Sequence, residues 1–174
     1  MKPRVGISRC LLGDEVRYDG GHKRTTSVID LGACVEWIPV CPEVEIGMGV
    51  PRQPVQLVTR AGGAGSTSQR LRLVGVQTGE DWTERMEAWA AQRVAELGGL
   101  GISGFVLKAR SPSCGPNQVM VHRGEADPTP TGRGFFADAL ARAMPDLPIA
   151  DEERLGDALV RQEFLGRVRT YRPR

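Results

Sequence analysis

Short apolar runs alternate with longer amphipathic segments along most of the chain. The apolar runs predict strands at 4–9, 35–41, 55–58, 71–76, 102–109 and 147–150. Apolar residues that recur every three or four positions predict helices at 26–31, 80–97, 131–144 and 151–168. Strands that alternate with helices are typical of a parallel α/β sheet. We therefore expect a single α/β domain over residues 1–174, with a mostly parallel, Rossmann-like sheet flanked by helices.

Turn residues and helix periodicity add local detail to this picture. The glycine-rich stretch 61–66 predicts the turn of a hairpin between the strands at 55–58 and 71–76. Gly32 is expected to end the short helix at 26–31. In the last predicted helix, three apolar residues are expected to face inward: Leu155, Ala158 and Leu159.

Three of the four cysteines lie just after predicted strands, namely Cys10, Cys41 and Cys114. The carboxyl ends of parallel strands meet in one crevice, which is where ligands bind in open α/β sheets. Each of these cysteines also has glycine or proline close by, as in the turn at 112–117, whereas a packing cysteine belongs in a strand or helix. Three converging thiols predict a site for a metal ion or an iron–sulfur cluster.

Cys34 is the exception among the cysteines. It lies seven residues before Cys41, on the far side of the predicted strand 35–41, which places the two roughly 20 Å apart in an extended chain. We expect Cys34 to pack as a small apolar residue. Three protein ligands leave one coordination position open, which is a property of catalytic metal centres.

Composition narrows the class of protein. Apolar residues make up 40% of the 174, which suffices for a globular core, and no run approaches the ~20 apolar residues of a membrane span. The start of the chain leads into a strand without a signal-peptide pattern. These features predict a cytoplasmic protein with reduced thiols and no membrane association. The net charge of +2 is too small to indicate nucleic-acid binding by itself.

Candidate proton-transfer and hydrogen-bonding groups lie beside the cysteines. Glu43, two residues after Cys41, is placed at the mouth of the crevice, where a carboxylate can act as general acid or base. Glu45 shares that direction only if the segment stays extended. Ser111 and Ser113 precede Cys114, and their hydroxyls either bond a substrate or stabilise the turn.

Several further polar residues are candidates for substrate binding. The loop at 16–23 carries cationic, aromatic, acidic and imidazole side chains, and binding residues gather on loops. It is alternatively a solvated loop. Another cation follows Pro51, and a lysine ends the strand 102–109. Together with Ser113, the substrate-binding candidates are Arg17, Tyr18, Asp19, His22, Arg52 and Lys108.

At these residues the chain resembles the thiouracil desulfidase family, which was long a domain of unknown function. The resemblance covers nearly the whole chain in order. It rests on GISRCLLG at 6–13, VRYDGG at 16–21, VCPEV at 40–44, PR at 51–52, LKARSPSCG at 107–115 and TGRGFFA at 131–137.

The resemblance implies a [4Fe-4S] cluster on Cys10, Cys41 and Cys114, with the fourth iron free of protein ligands. It implies Glu43 as the acid or base and Ser111 as a helper beside the substrate. Members of the family remove sulfur from thiolated uracil compounds without net redox change. The stretch 44–50 differs from many relatives, which leaves open whether the substrate is a 2-thio or 4-thio base, a nucleotide or a thiolated tRNA.

The residues alone are also compatible with two other functions. Three thiolates and a water are the ligands of a zinc hydrolase. A three-cysteine site can also belong to a non-catalytic metal-binding or redox-sensing module. The patterns define no oligomeric state.

Overall fold

The computed structural model describes residues 1–61 and 69–172. The strands are β1 Arg4–Ser8, β2 Glu36–Val40, β3 Val55–Ala61, β4 Gln69–Gly75, β5 Gly104–Leu107, β6 Val119–Arg123, β7 Ala126–Gly132 and β8 Ile149–Asp151. The helices are α1 Thr26–Ile29, α2 Pro42–Glu45, α3 Thr83–Gly99, α4 Phe135–Ala143 and α5 Ala158–Thr170. None of the helices in these two ranges is long and apolar enough to cross a membrane.

One sheet is entirely parallel, which confirms the predicted fold class. Its strand order is β2-β1-β5-β8, so β1 has a parallel neighbour on each side. The chain leaves β1 to one side to form β2 and later returns to the other side to form β5. This reversal of strand order is a topological switch point, and it opens a crevice at the carboxyl ends of the central strands.

Helices cover both faces of this sheet. Phe105 and Leu107 of β5 pack with residues of α3 and α4 on one face. Val106 packs on the other face with residues of β1, α1 and α5. All four residues of β5 are buried, and such continuous burial explains why this strand is a continuous apolar run in the sequence.

A second four-stranded sheet has the order β4-β3-β6-β7. The predicted hairpin is its β3–β4 pair, which is antiparallel, although residues 62–66 of the predicted turn lie outside the described residues. Neither β6 nor β7 is among the predicted strands. The composition of β7, ADPTPTG, has little apolar content. The inner face of this sheet packs on Met86 of α3 through Leu57, Leu73 and Val121.

The helix predicted at 131–144 is wrong over its first residues. Residues up to Gly132 belong to β7, and α4 begins at Phe135. A side chain on Gly134 would come within 2.5 Å of the backbone of Ser113. This glycine therefore allows the start of α4 to pack directly against the turn that carries Cys114.

The last predicted helix and the Gly32 stop also need correction. The segment 151–168 divides into a 3-10 turn at Arg154–Gly156 and helix α5, which Asp157 caps with its side chain. This break changes the helical phase, so Leu155 is buried while Leu159 is 71% exposed and Ala158 is also exposed. Gly32 lies within a 3-10 turn at Asp30–Ala33 that extends α1.

The contact between β1 and β5 predicts that one added methyl group lowers the stability of the protein. A Cβ on Gly6 would lie 2.2 Å from the ring of Phe105, which is fully buried. We expect Gly6→Ala to lower the free energy of unfolding by about 1–3 kcal/mol, because the core must be overpacked. Gly166→Ala is the matched control: nothing lies within 4 Å of its Cβ position on α5, and we expect a gain of about 0.5–1 kcal/mol. Urea denaturation measures both, and equal effects would contradict the packing argument.

Candidate functional site

The crevice at the carboxyl ends of β2, β1 and β5 is a cavity of about 310 Å³. All three predicted ligand cysteines line it, because each follows one of these adjacent strands. Cys34 precedes β2 at the opposite end of the sheet and is half-buried against the core. All four cysteines are free thiols.

The three cavity thiols influence one another electrostatically. Burial and the neighbouring Cys41 raise the pKa of Cys10 to about 11. Burial also raises the pKa of Cys41, and it raises the pKa of Cys114 well above its ordinary value, with Cys41 and Cys10 adding to the effect. Protons are therefore held on these thiols, and a metal or cluster that binds them has to displace these protons.

Hydrogen bonds to the backbone of each cysteine fix its position. Cys10 lies in a 3-10 turn, and its carbonyl accepts the N–H of Lys23 at 2.9 Å. The N–H of Cys41 donates to a carboxylate oxygen of Glu45 at 3.1 Å. The N–H of Cys114 donates to the hydroxyl oxygen of Ser111 at 3.1 Å. The cavity therefore has a defined shape before any ligand binds.

Ser111 lines the cavity and also builds the turn. Its hydroxyl oxygen accepts the N–H groups of both Ser113 and Cys114. The sequence left a substrate contact and a turn-stabilising bond as alternatives for this serine, and the structure places it in the turn. A hydroxyl that accepts hydrogen bonds retains its own hydrogen for donation, so the two roles are compatible.

Glu43 faces the cavity with both carboxylate oxygens engaged. Oε1 accepts the hydroxyl of Ser113 at 2.8 Å, and Oε2 accepts Nε and Nη2 of Arg52 at 2.8 and 2.7 Å. Ser113 is fully buried and does not itself line the cavity. Arg52 lines the cavity, but the structure pairs its guanidinium with Glu43.

Glu45 points elsewhere because the segment after Cys41 is helical. With residues 42–45 in α2, its carboxylate pairs with Arg93 of α3 at 3.2 Å. The extended conformation that would have aligned it with Glu43 is not formed. Glu45 therefore supports the Cys41 turn and is absent from the residues that line the cavity.

Lys108 lines the cavity and is anchored by a residue that sequence reasoning missed. Its ammonium group contacts a carboxylate oxygen of Glu152, whose other oxygen accepts the N–H of Ala109 at 2.7 Å. Ser8, also missed, accepts the N–H of Lys108 at 2.9 Å, and a hydrogen bond from its side chain partly offsets the raised pKa of Cys114. The available signal was position, since Ser8 and Glu152 lie at or just after the ends of predicted strands.

The loop candidates divide into two groups. Arg17 and Tyr18 line the cavity, with the guanidinium over the aromatic ring at 5.2 Å. Asp19 and His22 do not line it. Asp19 accepts the N–H of Gly21, which holds the pKa of its carboxyl below the usual value, and His22 accepts the N–H of Arg24. These two residues shape the loop.

The chain is similar to known proteins in both sequence and fold. The family model described as 2-thiouracil desulfurase matches residues 5–152. The uncharacterised protein YbbK of Bacillus subtilis (strain 168) is 30% identical over 155 residues, which are 88% of this chain and 98% of YbbK. The solved structure of a [4Fe-4S]-dependent thiouracil desulfidase, TudS (DUF523Vcz), superposes with a TM-score of 0.71 at 29% identity, covering 93% of this chain and 99% of TudS.

The crevice at the switch point of the parallel sheet, lined by three thiols and a carboxylate, is the candidate active site. The chain belongs to the 2-thiouracil desulfurase family. The resemblance stated from the sequence motifs is thereby confirmed.

The buried Glu152 predicts a stability difference between two adjacent glutamates. Glu152→Ala leaves Lys108 and the N–H of Ala109 without their carboxylate, so we expect a loss of about 2–4 kcal/mol in the free energy of unfolding. Glu153 pairs with Arg110 on the surface, where its side chain is 49% exposed. Glu153→Ala should cost less than about 1 kcal/mol. Chemical denaturation compares the two, and similar losses would show that the buried network contributes little.

Proposed function

We propose that this protein is a [4Fe-4S]-dependent desulfidase that acts on thiolated pyrimidines. The overall reaction replaces the thiocarbonyl sulfur by oxygen from water and releases hydrogen sulfide. One water is consumed and no electrons are gained or lost, so no external reductant takes part. The observation that carries the proposal is the cavity itself, where Cys10, Cys41, Cys114 and Glu43 all meet.

The donor set fits the proposed cluster. Three thiols that face one cavity would hold it, with Cys114 buried and Cys10 and Cys41 half-buried, and Cys34 lies at the opposite end of β2, too far away to be a fourth ligand. When bound, the cluster supplies an iron without a protein ligand, which is a soft Lewis acid for a thiocarbonyl sulfur. The structural relative TudS is [4Fe-4S]-dependent, which supports the same cofactor here.

The chain's own residues supply the proton transfers and the orientation. Glu43 accepts a proton from the attacking water, or returns one to the departing group, at its carboxylate. Ser111 donates its hydroxyl hydrogen to the heterocycle beside Cys114. Apolar side chains from Val16, Val40, Pro54 and Val55 form part of the lining and limit the entry of bulk water.

The charges around the cavity support an anionic substrate as well as an uncharged one. Arg9, Arg17, Lys23, Lys108 and Arg110 all line the cavity, although four of them pair with carboxylates outside its lining, and Glu43 is the one lining carboxylate among the described residues. Cations clustered at a cleft attract phosphate groups. Nucleotides of thiolated uracil are therefore proposed as substrates beside the free bases, and thiolated tRNA remains an outcome of the substrate test below.

The geometry does not favour the zinc alternative. A single zinc holds each thiolate at about 2.3 Å, which demands tightly grouped sulfurs. Within residues 1–61 and 69–172, no group of three histidine, cysteine, aspartate or glutamate side chains is arranged to hold one metal ion. The preference for a cluster over zinc therefore rests on the likeness to TudS, which is [4Fe-4S]-dependent. We also propose that one domain over residues 1–174 performs the reaction in a reducing, cytoplasmic setting.

Cysteine variants test the ligand assignment. Cys10→Ala, Cys41→Ala and Cys114→Ala should each abolish the broad absorbance of the cluster after anaerobic reconstitution. Cys34→Ala is the matched control and should retain iron and sulfide at the level of the parent protein, because its thiol lies at the opposite end of β2. Iron and acid-labile sulfide analysis gives the measurement. Equal loss in the Cys34 variant would contradict a three-cysteine site.

The activity is tested with anaerobic, cluster-loaded protein and defined thiolated compounds. We expect 4-thiouracil, 2-thiouracil or 4-thiouridine monophosphate to lose its thiocarbonyl absorbance with release of one sulfide per molecule. No reductant should be needed. Exposure to air should abolish the activity, because oxygen attacks an iron that lacks a protein ligand.

The outcomes separate the proposals. If the cluster is intact, no turnover of these compounds but turnover of thiolated tRNA would identify RNA, and not a small molecule, as the substrate. No turnover of any of the four substrates would overturn the desulfidase proposal. A requirement for one reducing equivalent in each turnover would overturn the non-redox reaction even if sulfide is released.

A further inference from the structure

Glu43 is the candidate proton-transfer group, yet three hydrogen bonds already reach its carboxylate. Arg52 donates twice to Oε2 and Ser113 donates once to Oε1. A carboxylate has about four acceptor positions, so about one remains for a water or a substrate. The carboxylate is therefore oriented before the substrate arrives.

Arg52 is almost completely buried and is bonded to the backbone of two other segments. Only 5% of its side chain is exposed, and its Nη1 donates to the carbonyl of Gly49 at 2.8 Å. Its backbone N–H donates to the carbonyl of Tyr18 at 2.9 Å, which ties the loop that lines the cavity to the segment before β3. A guanidinium so engaged is poorly placed to move toward an anionic substrate, since it would leave Glu43 unpaired in a largely buried position.

Ser113 connects Glu43 to the turn that carries Cys114. Its carbonyl accepts the N–H of Phe136 at the start of α4, and its own N–H donates to Ser111. Its hydroxyl, which is fully buried, donates to Glu43. The carboxylate is therefore held between the turn after β5 and the segment before β3, two parts of the chain that are about 60 residues apart in sequence.

We propose that Arg52 and Ser113 are positioning residues that act through Glu43 and make no substrate contact. They hold its carboxylate aligned, with about one acceptor position free for the water that is activated. Bidentate arginine–carboxylate pairs combine charge with fixed geometry, which a lysine does not reproduce. This assignment differs from the substrate-binding roles expected from the sequence, and it rests on the proposed desulfidase function.

A double-mutant cycle tests the proposal in cluster-loaded protein with 4-thiouracil. Arg52→Ala should lower kcat by about 10–100-fold, the scale of misplacing a catalytic group by about 1 Å, with KM changed less than about twofold. In a Glu43→Gln background the same substitution should have little further effect on kcat. Arg52→Lys should lie between the parent and Arg52→Ala, and added guanidinium should restore part of the activity of Arg52→Ala but none of that of Glu43→Gln.

Arg4→Ala is the matched control, because it removes an arginine–glutamate pair at the opposite end of the parallel sheet, the pair with Glu36. It should keep kcat within a few-fold of the parent. Ser113→Ala removes one hydrogen bond to Glu43 and should also lower kcat without raising KM, which preserves the test if Arg52→Ala fails to fold. The absorbance of the cluster should be unchanged in all these variants.

Binding gives a measurement that does not depend on turnover. The Kd of 4-thiouracil for Glu43→Gln and for Glu43→Gln with Arg52→Ala should agree within about twofold, since Arg52 acts through Glu43 alone. A tenfold weaker Kd, a rise in KM at constant kcat, or multiplicative losses of kcat in the double variant would each overturn the positioning role while leaving the desulfidase function intact. If the parent protein turns over none of the thiolated substrates, the proposed function is overturned, and the positioning role with it.

Discussion

The parallel pairing of β1 with both β2 and β5 is the constraint on which the site depends. It brings three strand ends together at one switch point, and each strand is followed by a cysteine within one to seven residues. The close approach of Gly6 to Phe105 allows the central pair to form, and the buried β5 gives the sheet its core. A shift of one strand by a single residue would rotate its side chains to the opposite face and displace the adjoining turn.

Buried polar pairs then fix the loops that follow these strands. Glu152 holds Lys108 and Ala109 after β5, and Glu43 joins Arg52 to Ser113. Breaking such a pair on one side leaves a charge without a partner in a poorly solvated place, and the resulting penalty makes the loop geometry specific. The second sheet contributes through the segment before β3, because Arg52, Pro54 and Val55 form one wall of the cavity.

The three thiols complete this electrostatic arrangement. Burial makes their ionisation unfavourable, and each ionised neighbour makes it more so. A metal or cofactor that bound these thiols would have to displace their protons, so its binding would depend on pH. The cationic side chains at the mouth, among them Arg17 and Lys108, lower the pKa of Cys10 and so favour the loss of its proton.

The sequence by itself determined the parallel α/β class, the three cysteines at strand ends and the placement of Glu43 beside them. These features depend on local periodicity and on the order of strands, which the apolar pattern carries directly. The tertiary structure alone decided that residues 119–132 form a hairpin, because a strand such as ADPTPTG is stabilised by its neighbours and has little apolar pattern of its own. It alone paired Arg52 with Glu43 and Lys108 with Glu152. Lys108 meets Glu152 because β5 pairs with β8, and Arg52 reaches Glu43 from the segment before β3 of the second sheet. It also separated Glu43 from Glu45, because a single helical turn at α2 sends their carboxylates to different sides.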